Sequence, residues 1–427
     1  MLFILNLNVY NAIAVVLILL YMMLFYFGRG YRFFNSCTFV IALYLGSLIG
    51  SWFLDPTLVP NIEKYSLFAT LLFVFCFLAF ALPLVLSRIE RVKFVYVGNE
   101  RLFWFFCKTL IFSNCIVYLY FTPQLISIVT SGESIINLRS HVVGGTADSG
   151  SGVLFSFISL MTQFYPIALL CFFYSFCYYP EKKALNTLLF WSSTGYIINV
   201  FASIGRDGVV LWSFSFVFTY LIFFNQIDKS RKRKIKKYSS LFFAFFFVVF
   251  ISLSIGRFYR DGNVYMFFQY MLMYFSQQFG EFNQYVNSVS EFSYDWSKLF
   301  PLLNYVGMGN DNDMTLLDEH YHFLSNYGFS KYVFKTFIGS FYMSIGSIGI
   351  IGFSVLLSLS LSILFYFRRK DVVSLGLLVI YTVYAQLLLH GIFYYKLAHS
   401  VSQVYIILSL FVAIAFHYKI KLSNIRS

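Results

Sequence analysis

Arginines in short glycine-containing segments are the residues best placed to do chemistry in this chain. Arg206 sits in SIGRDGVV (203–210), where Gly205 and Gly208 let the backbone reverse and let a ligand come close. A guanidinium held between two rigid helices offers a planar fork of donors suited to phosphate oxygens. The same side chain can instead pair with Asp207 or with lipid headgroups, and the residues alone leave both readings open. Arg257 and Arg260 lie three residues apart in IGRFYRDGN (255–263), a spacing that puts both on one face of a helix. Arg139, in GESIINLRSHVVGG (132–145), is a fourth donor with glycines close behind it.

Acids and bases cluster further along. GMGNDNDMTLLDEHYHF (307–323) gathers Asp311, Asp313, Asp318, Glu319, His320 and His322. His320 and His322 are general-base candidates, because a neutral imidazole titrates near ambient pH; each can equally be a surface histidine. Asp311 and Asp313 have the spacing of an oxygen-ligand pair for a divalent cation, but a solvated acidic loop has the same composition, and no metal is assigned. No serine–histidine–aspartate order, nucleotide loop or zinc spacing stands out.

The elements that must carry these residues are membrane helices. Of 427 residues, 59% are hydrophobic, 22% aromatic and only 11% charged, against about 25% charged in a soluble domain. One aqueous core cannot hide that much apolar surface, which excludes a secreted domain, a cytosolic enzyme and a nucleic-acid-binding module. A crossing takes about 20 apolar residues, and eleven stretches qualify: 10–27, 33–54, 66–87, 102–121, 153–179, 184–204, 209–225, 239–255, 338–367, 372–394 and 400–418. The first lacks the basic leader and small-residue site of a cleaved signal peptide. The six cysteines (Cys37, Cys76, Cys107, Cys115, Cys171, Cys177) fall in apolar stretches and read as small core residues. The expected fold is therefore all-α and polytopic, one integral membrane domain over 1–427.

Charge sets the orientation. With the N-terminus outside and the C-terminus in the cytoplasm, 21 of the 31 Lys and Arg fall on the inner side and 13 of the 18 carboxylates on the outer side. The net charge of +13 is then a topology signal, with an anionic-lipid contact expected at the KSRKRKIKK run in the basic cytoplasmic loop 226–238. Two outer loops are long, 122–152 and 256–337. Within the second, VYMFFQYMLMYFSQQF (264–279) is nearly apolar enough to span. Spanning would invert everything after it, so it reads as an interfacial or re-entrant helix. Lys108 is the one charge expected inside the bilayer, either functional or snorkelling to the inner face.

Three segments together carry a family resemblance: the turn Ser203-Ile204-Gly205-Arg206-Asp207-Gly208, MYFSQQFGEFNQYV (273–286) just after the arginine pair, and FIGSFYMSIGSIGIIG (337–352), where the chain re-enters the bilayer. With the many-helix layout, these resemble the oligosaccharide repeat-unit polymerases, the Wzy group of O-antigen polymerases. The layout covers most of the chain, and the motifs are short. The resemblance implies a GT-C-like glycosyltransferase of the bacterial inner membrane. Its donor would be a growing glycan on undecaprenyl diphosphate, transferred to the non-reducing end of a new lipid-linked unit. It further implies diphosphate binding by Arg206, Arg257 and Arg260, more weakly Arg139, and a base from His320, His322 or Glu281. No cofactor is implied. The expected partners are the lipid-linked oligosaccharides, membrane lipids, and possible chain-length regulator and flippase proteins, with no nucleic acid.

Other functions share parts of this pattern. An O-antigen ligase uses similar chemistry on a different acceptor. A lipid-linked oligosaccharide flippase or other transporter would carry charges toward a central cavity and two similar halves, and neither is visible in the sequence. A non-enzymatic envelope scaffold would not need the outward arginines.

Overall fold

The computed structural model describes residues 8–26, 34–55, 58, 65–130, 152–258, 263–289, 292, 296–307, 334–366 and 371–418. Nearly all of them are helical. The helices are α1 (Val9–Tyr26), α2 (Ser36–Gly50), α3 (Leu67–Ser87), α4 (Glu100–Thr130), α5 (Val153–Gln163), α6 (Tyr165–Tyr178), α7 (Lys183–Ser193) and α8 (Gly195–Ala202). They continue as α9 (Asp207–Phe223), α10 (Lys229–Phe258), α11 (Val264–Ser276), α12 (Gln278–Ser288), α13 (Thr336–Tyr366), α14 (Leu375–Gly391) and α15 (Ser400–His417). Two short strands, β1 (Phe94–Tyr96) and β2 (Val372–Ser374), pair in parallel with Val95 opposite Val373.

Among the described residues six helical segments are long and apolar enough to cross a membrane: Ser36–Phe53, Leu67–Arg91, Glu100–Ile128, Lys229–Ile255, Thr336–Tyr366 and Ser400–His417. The pair α5–α6, bent by 47°, makes a seventh if it is one span. The stretches in α1, α9 and α14 are apolar but shorter. The stretch 184–204 is divided between α7 and α8, with Gly195 packed so closely on Asn114 that a Cβ there would meet its side-chain oxygen. The basic run Lys229–Lys237 is the start of α10, continuous with its apolar part, and α4 continues to Thr130. Four of the cysteines are buried, Cys177 is half-buried and Cys115 is exposed.

The chain forms two compact units. The first comprises Met1–Ser87, Phe258–Phe367 and Gln386–Gln403. Its centre is the pairing of α3 with α13, where Phe80 packs on Phe337 with ring centroids 4.9 Å apart. Asn35 caps α2 by accepting from the amides of Cys37 and Thr38, while Thr38 Oγ1 accepts from the Asn35 amide. The segment 264–279 lies in α11 and the start of α12. Asn263 caps α11 by accepting from the Met266 amide, and α11 packs on α2 where Gly50 meets Ser276. Midway along α13, Gly346 takes φ +68°, a conformation that suits glycine, and kinks the helix beside Phe292.

The second unit comprises Arg88–Arg257, Arg368–Ala385 and Val404–Ser427. Aromatic stacking fills it. Tyr165 lies flat on Tyr196 at 4.4 Å, and Phe103 meets both Tyr174 and Phe416 edge-on. Trp212, fully buried, donates to Ser193 Oγ at 3.1 Å and packs on Phe242 of α10.

In the first unit, Gly391 lies against Phe337, and a Cβ there would stand 2.6 Å from the ring. Gly352, on α13, has open space around it. Overpacking costs about 1–3 kcal/mol. Gly391→Val should therefore lower the melting temperature in detergent clearly more than Gly352→Val, and equal melting of the two variants contradicts this packing.

Candidate functional site

The Arg206 turn belongs to the second unit. Residues 203–206 join α8 to α9, and the reversal is tight. The Gly205 amide donates to the Val200 carbonyl at 2.8 Å, and Ile204 takes φ +54°, a strained value for a β-branched residue. A Cβ on Gly205 would stand 2.6 Å from Val200 Cγ1, and one on Gly208 2.7 Å from Val200 Cβ. The glycines thus serve the packing of the turn onto Val200, a role distinct from ligand approach.

Arg206 itself is half-buried and bonded to α10. Its Nη1 donates to Ser254 Oγ at 2.8 Å, and its guanidinium carbon lies 5.9 Å from the centre of the Phe250 ring. Ser254 is fully buried and passes its own hydroxyl hydrogen to the Phe250 carbonyl at 2.7 Å. The serine oxygen is therefore committed as an acceptor toward the arginine, which helps to fix the fork. Asp207 opens α9, where a carboxylate is favoured by the helix dipole. Arg257 is three residues beyond Ser254 in α10, on the same side of the helix axis. Its side chain, together with Arg260, Arg139, His320 and His322, lies outside the described residues.

Glu281 belongs to the first unit, on α12. That helix carries Gln278, Glu281, Asn283 and Gln284, yet every residue from Gln278 to Val286 is buried. Some of its polar groups are satisfied: Gln278 accepts from Ser47 Oγ and donates to the Tyr274 carbonyl, and Asn283 accepts from the Ser66 amide. Glu281 is only 2% exposed, and its Oε2 has no hydrogen-bond partner among the described residues. Burial pushes its carboxyl up to about 8. Tyr65 and Tyr285 flank it; both phenols are raised, first by burial and then by the Glu281 charge.

Lys335 packs on Tyr285, its ammonium 4.9 Å from the ring centre and against Met343 Sδ. It is 7% exposed, and burial holds the amine well below the usual lysine range. The next residue, Thr336, takes φ +65° and donates its amide to the Phe393 carbonyl, so the entry to α13 is strained and pinned. Glu281 and Lys335 are thus two desolvated groups near the same phenol, each shifted toward its neutral form.

Ser254, Phe250, Lys335, Tyr65 and Tyr285 are residues that sequence reasoning passed over. The spacing of Ser254 three positions before Arg257 is the signal that points to it. Compared with known protein families, characterised proteins and solved structures, the chain matches none.

The Glu281 carboxyl ionises near 4.5 in an unfolded chain and near 8 when folded, so the folded state holds the extra proton between those values. Stability from this group is full below pH 4.5 and is lost as pH rises to about 8. Thermal unfolding in detergent should show that decline in the wild type, and Glu281→Gln should flatten it and be the more stable protein at the alkaline end. Parallel profiles for the two proteins contradict a buried acid at this position.

Proposed function

We propose that the protein polymerises lipid-linked oligosaccharide repeat units at the outer face of a bacterial inner membrane. On this reading the chain crosses eleven times in a GT-C-like arrangement. The crossings are the six long segments, the bent α5–α6 pair, α1, α9, α14, and α7 with α8 as one. The N-terminus is then periplasmic and the C-terminus cytoplasmic.

The observation that carries the reading is Arg206: a half-buried guanidinium in a strained glycine turn, oriented by Ser254 and Phe250. Such a fork suits the diphosphate of an undecaprenyl-linked donor, with Arg257, one turn beyond Ser254, as its companion and Arg260 and Arg139 as further donors. In the reaction the hydroxyl oxygen of the acceptor's non-reducing sugar attacks the anomeric carbon of the growing glycan. The anomeric carbon–oxygen bond breaks, and its electron pair leaves on undecaprenyl diphosphate, whose growing charge the arginines stabilise. The hydroxyl proton passes to a base. His320, His322 and Glu281 are the candidates.

Polymer length on a gel of the surface glycan tests this. Arg206→Ala and Arg257→Ala should keep the protein in the membrane and collapse the ladder to the anchor plus one repeat unit, since losing one such electrostatic contact costs about 100- to 1,000-fold in rate. Ser254→Ala, which loses one bond to a charged group, should shorten the ladder by a smaller factor, about tenfold in rate. Full-length polymer from both arginine variants refutes the diphosphate clamp. Loss of every repeat unit points to transport instead, and polymer stranded on its lipid carrier to ligation.

A further inference from the structure

The basic run at the start of α10 is divided by the helix into two faces. Arg231 and Lys232 turn inward. Arg231 donates from Nη1 to the carbonyls of Phe176 and Cys177 at 3.0 and 3.2 Å, closing the C-terminal end of α6, and pairs with Asp228 at 3.3 Å. The Lys232 ammonium lies 3.8 Å from the centre of the Phe224 ring. The same face continues as Phe242, Phe243, Phe246, Phe250 and Ser254, all packed within the second unit.

The opposite face carries Lys234, flanked by Arg233 and Lys237, all three exposed and without a salt bridge among the described residues. At steps of three and four residues it runs on through Tyr238, Leu241, Phe245 and Val248, which stay 67%, 72%, 63% and 62% exposed. Cations thus sit directly above an uncovered apolar stripe on one continuous helix. Apolar residues 239–255 span about 26 Å at 1.5 Å per residue, close to the hydrocarbon thickness, so Lys234 and Lys237 fall at headgroup depth. Tyr238 stands between them and the stripe, where an aromatic ring with a polar tip is favoured.

We propose that this face of α10 is a binding site for an acidic phospholipid. Its phosphate lies among Arg233, Lys234 and Lys237, and its acyl chains lie along Leu241, Phe245 and Val248. A second copy of the chain is a poor occupant, because a symmetric contact here would bring six cations together with no acid on this face to offset them. The site is independent of the glycan reaction.

Native mass spectrometry of the full-length protein, equilibrated with equal amounts of phosphatidylglycerol and phosphatidylcholine, tests the site. The wild type should retain phosphatidylglycerol in preference. Each surface cation contributes about fivefold, so R233Q/K234Q/K237Q should reduce the preference by at least about tenfold. R231Q, whose guanidinium is spent on α6 carbonyls, should keep it. Should the triple variant fail to fold, the wild type at about 1 M salt, where charges are screened beyond about 3 Å, must lose the preference. Equal retention of the two lipids by the wild type overturns the site, as does an unchanged preference in the triple variant or in high salt. A dimer that the triple variant dissolves without any change in lipid retention assigns the face to a second copy and overturns it as well.

Discussion

Inside hydrocarbon a peptide group can bond only to another peptide group, and the layout of this chain follows from that. Each apolar stretch becomes a helix because a helix satisfies its backbone within itself. Side chains that cannot be satisfied that way are then confined to helix ends, turns and buried faces. Helix α12 is the strongest case: a segment dense in amides and one acid is buried along most of its length, so each polar group needs a specific partner. Ser47, Ser66 and the Tyr274 carbonyl supply some of them. Where none is supplied, at Glu281 Oε2, the group responds by holding its proton.

Arg206 obeys the same constraint by another route. An arginine cannot shed its charge, so it is kept half-buried at a turn. One partner is the Ser254 hydroxyl, whose dipole orients a guanidinium at little cost to its positive potential. The strain at Ile204 and the two glycines pressed on Val200 belong to the same device, because they fix where the turn presents the fork.

Much of this was legible in the residues and some of it could not be. All eleven apolar stretches hold helix, because periodicity and length report directly on what hydrocarbon requires. The breaks within them are less legible. In 337–352 four glycines compete for the kink, and Gly346 takes it beside Phe292, a residue 54 positions earlier in the chain. Arg206 was readable from its turn, and Glu281 only through the family resemblance of 273–286; the depth of Glu281 depends on how α12 packs against α2, α3 and α13. Lys335 gave no signal at all: one lysine at the mouth of a helix reads as a boundary cation until the packing around Tyr285 removes it from water. Gly205 and Gly208 were legible as a turn, though for the wrong neighbour, since it is Val200 that approaches them.

The two faces of α10 explain how one long helix can be both a membrane anchor and a positioning element. Arg231 ties its first turn to the end of α6, and 23 residues on, about 35 Å away at 1.5 Å per residue, Ser254 meets Arg206. Between those points Phe242, Phe243 and Phe246 lock the rotation of the helix against Trp212, Phe216 and Phe201. A slip of one residue would turn the helix by about 100° and offer Arg206 the apolar side chain of Leu253 or Ile255 in place of a hydroxyl. The basic run thus has a structural half that sets the register of the turn, while its outward half is left free of that duty. The division follows from helical period alone: residues three and four apart share a face, and a run of seven cations in nine positions cannot avoid supplying both.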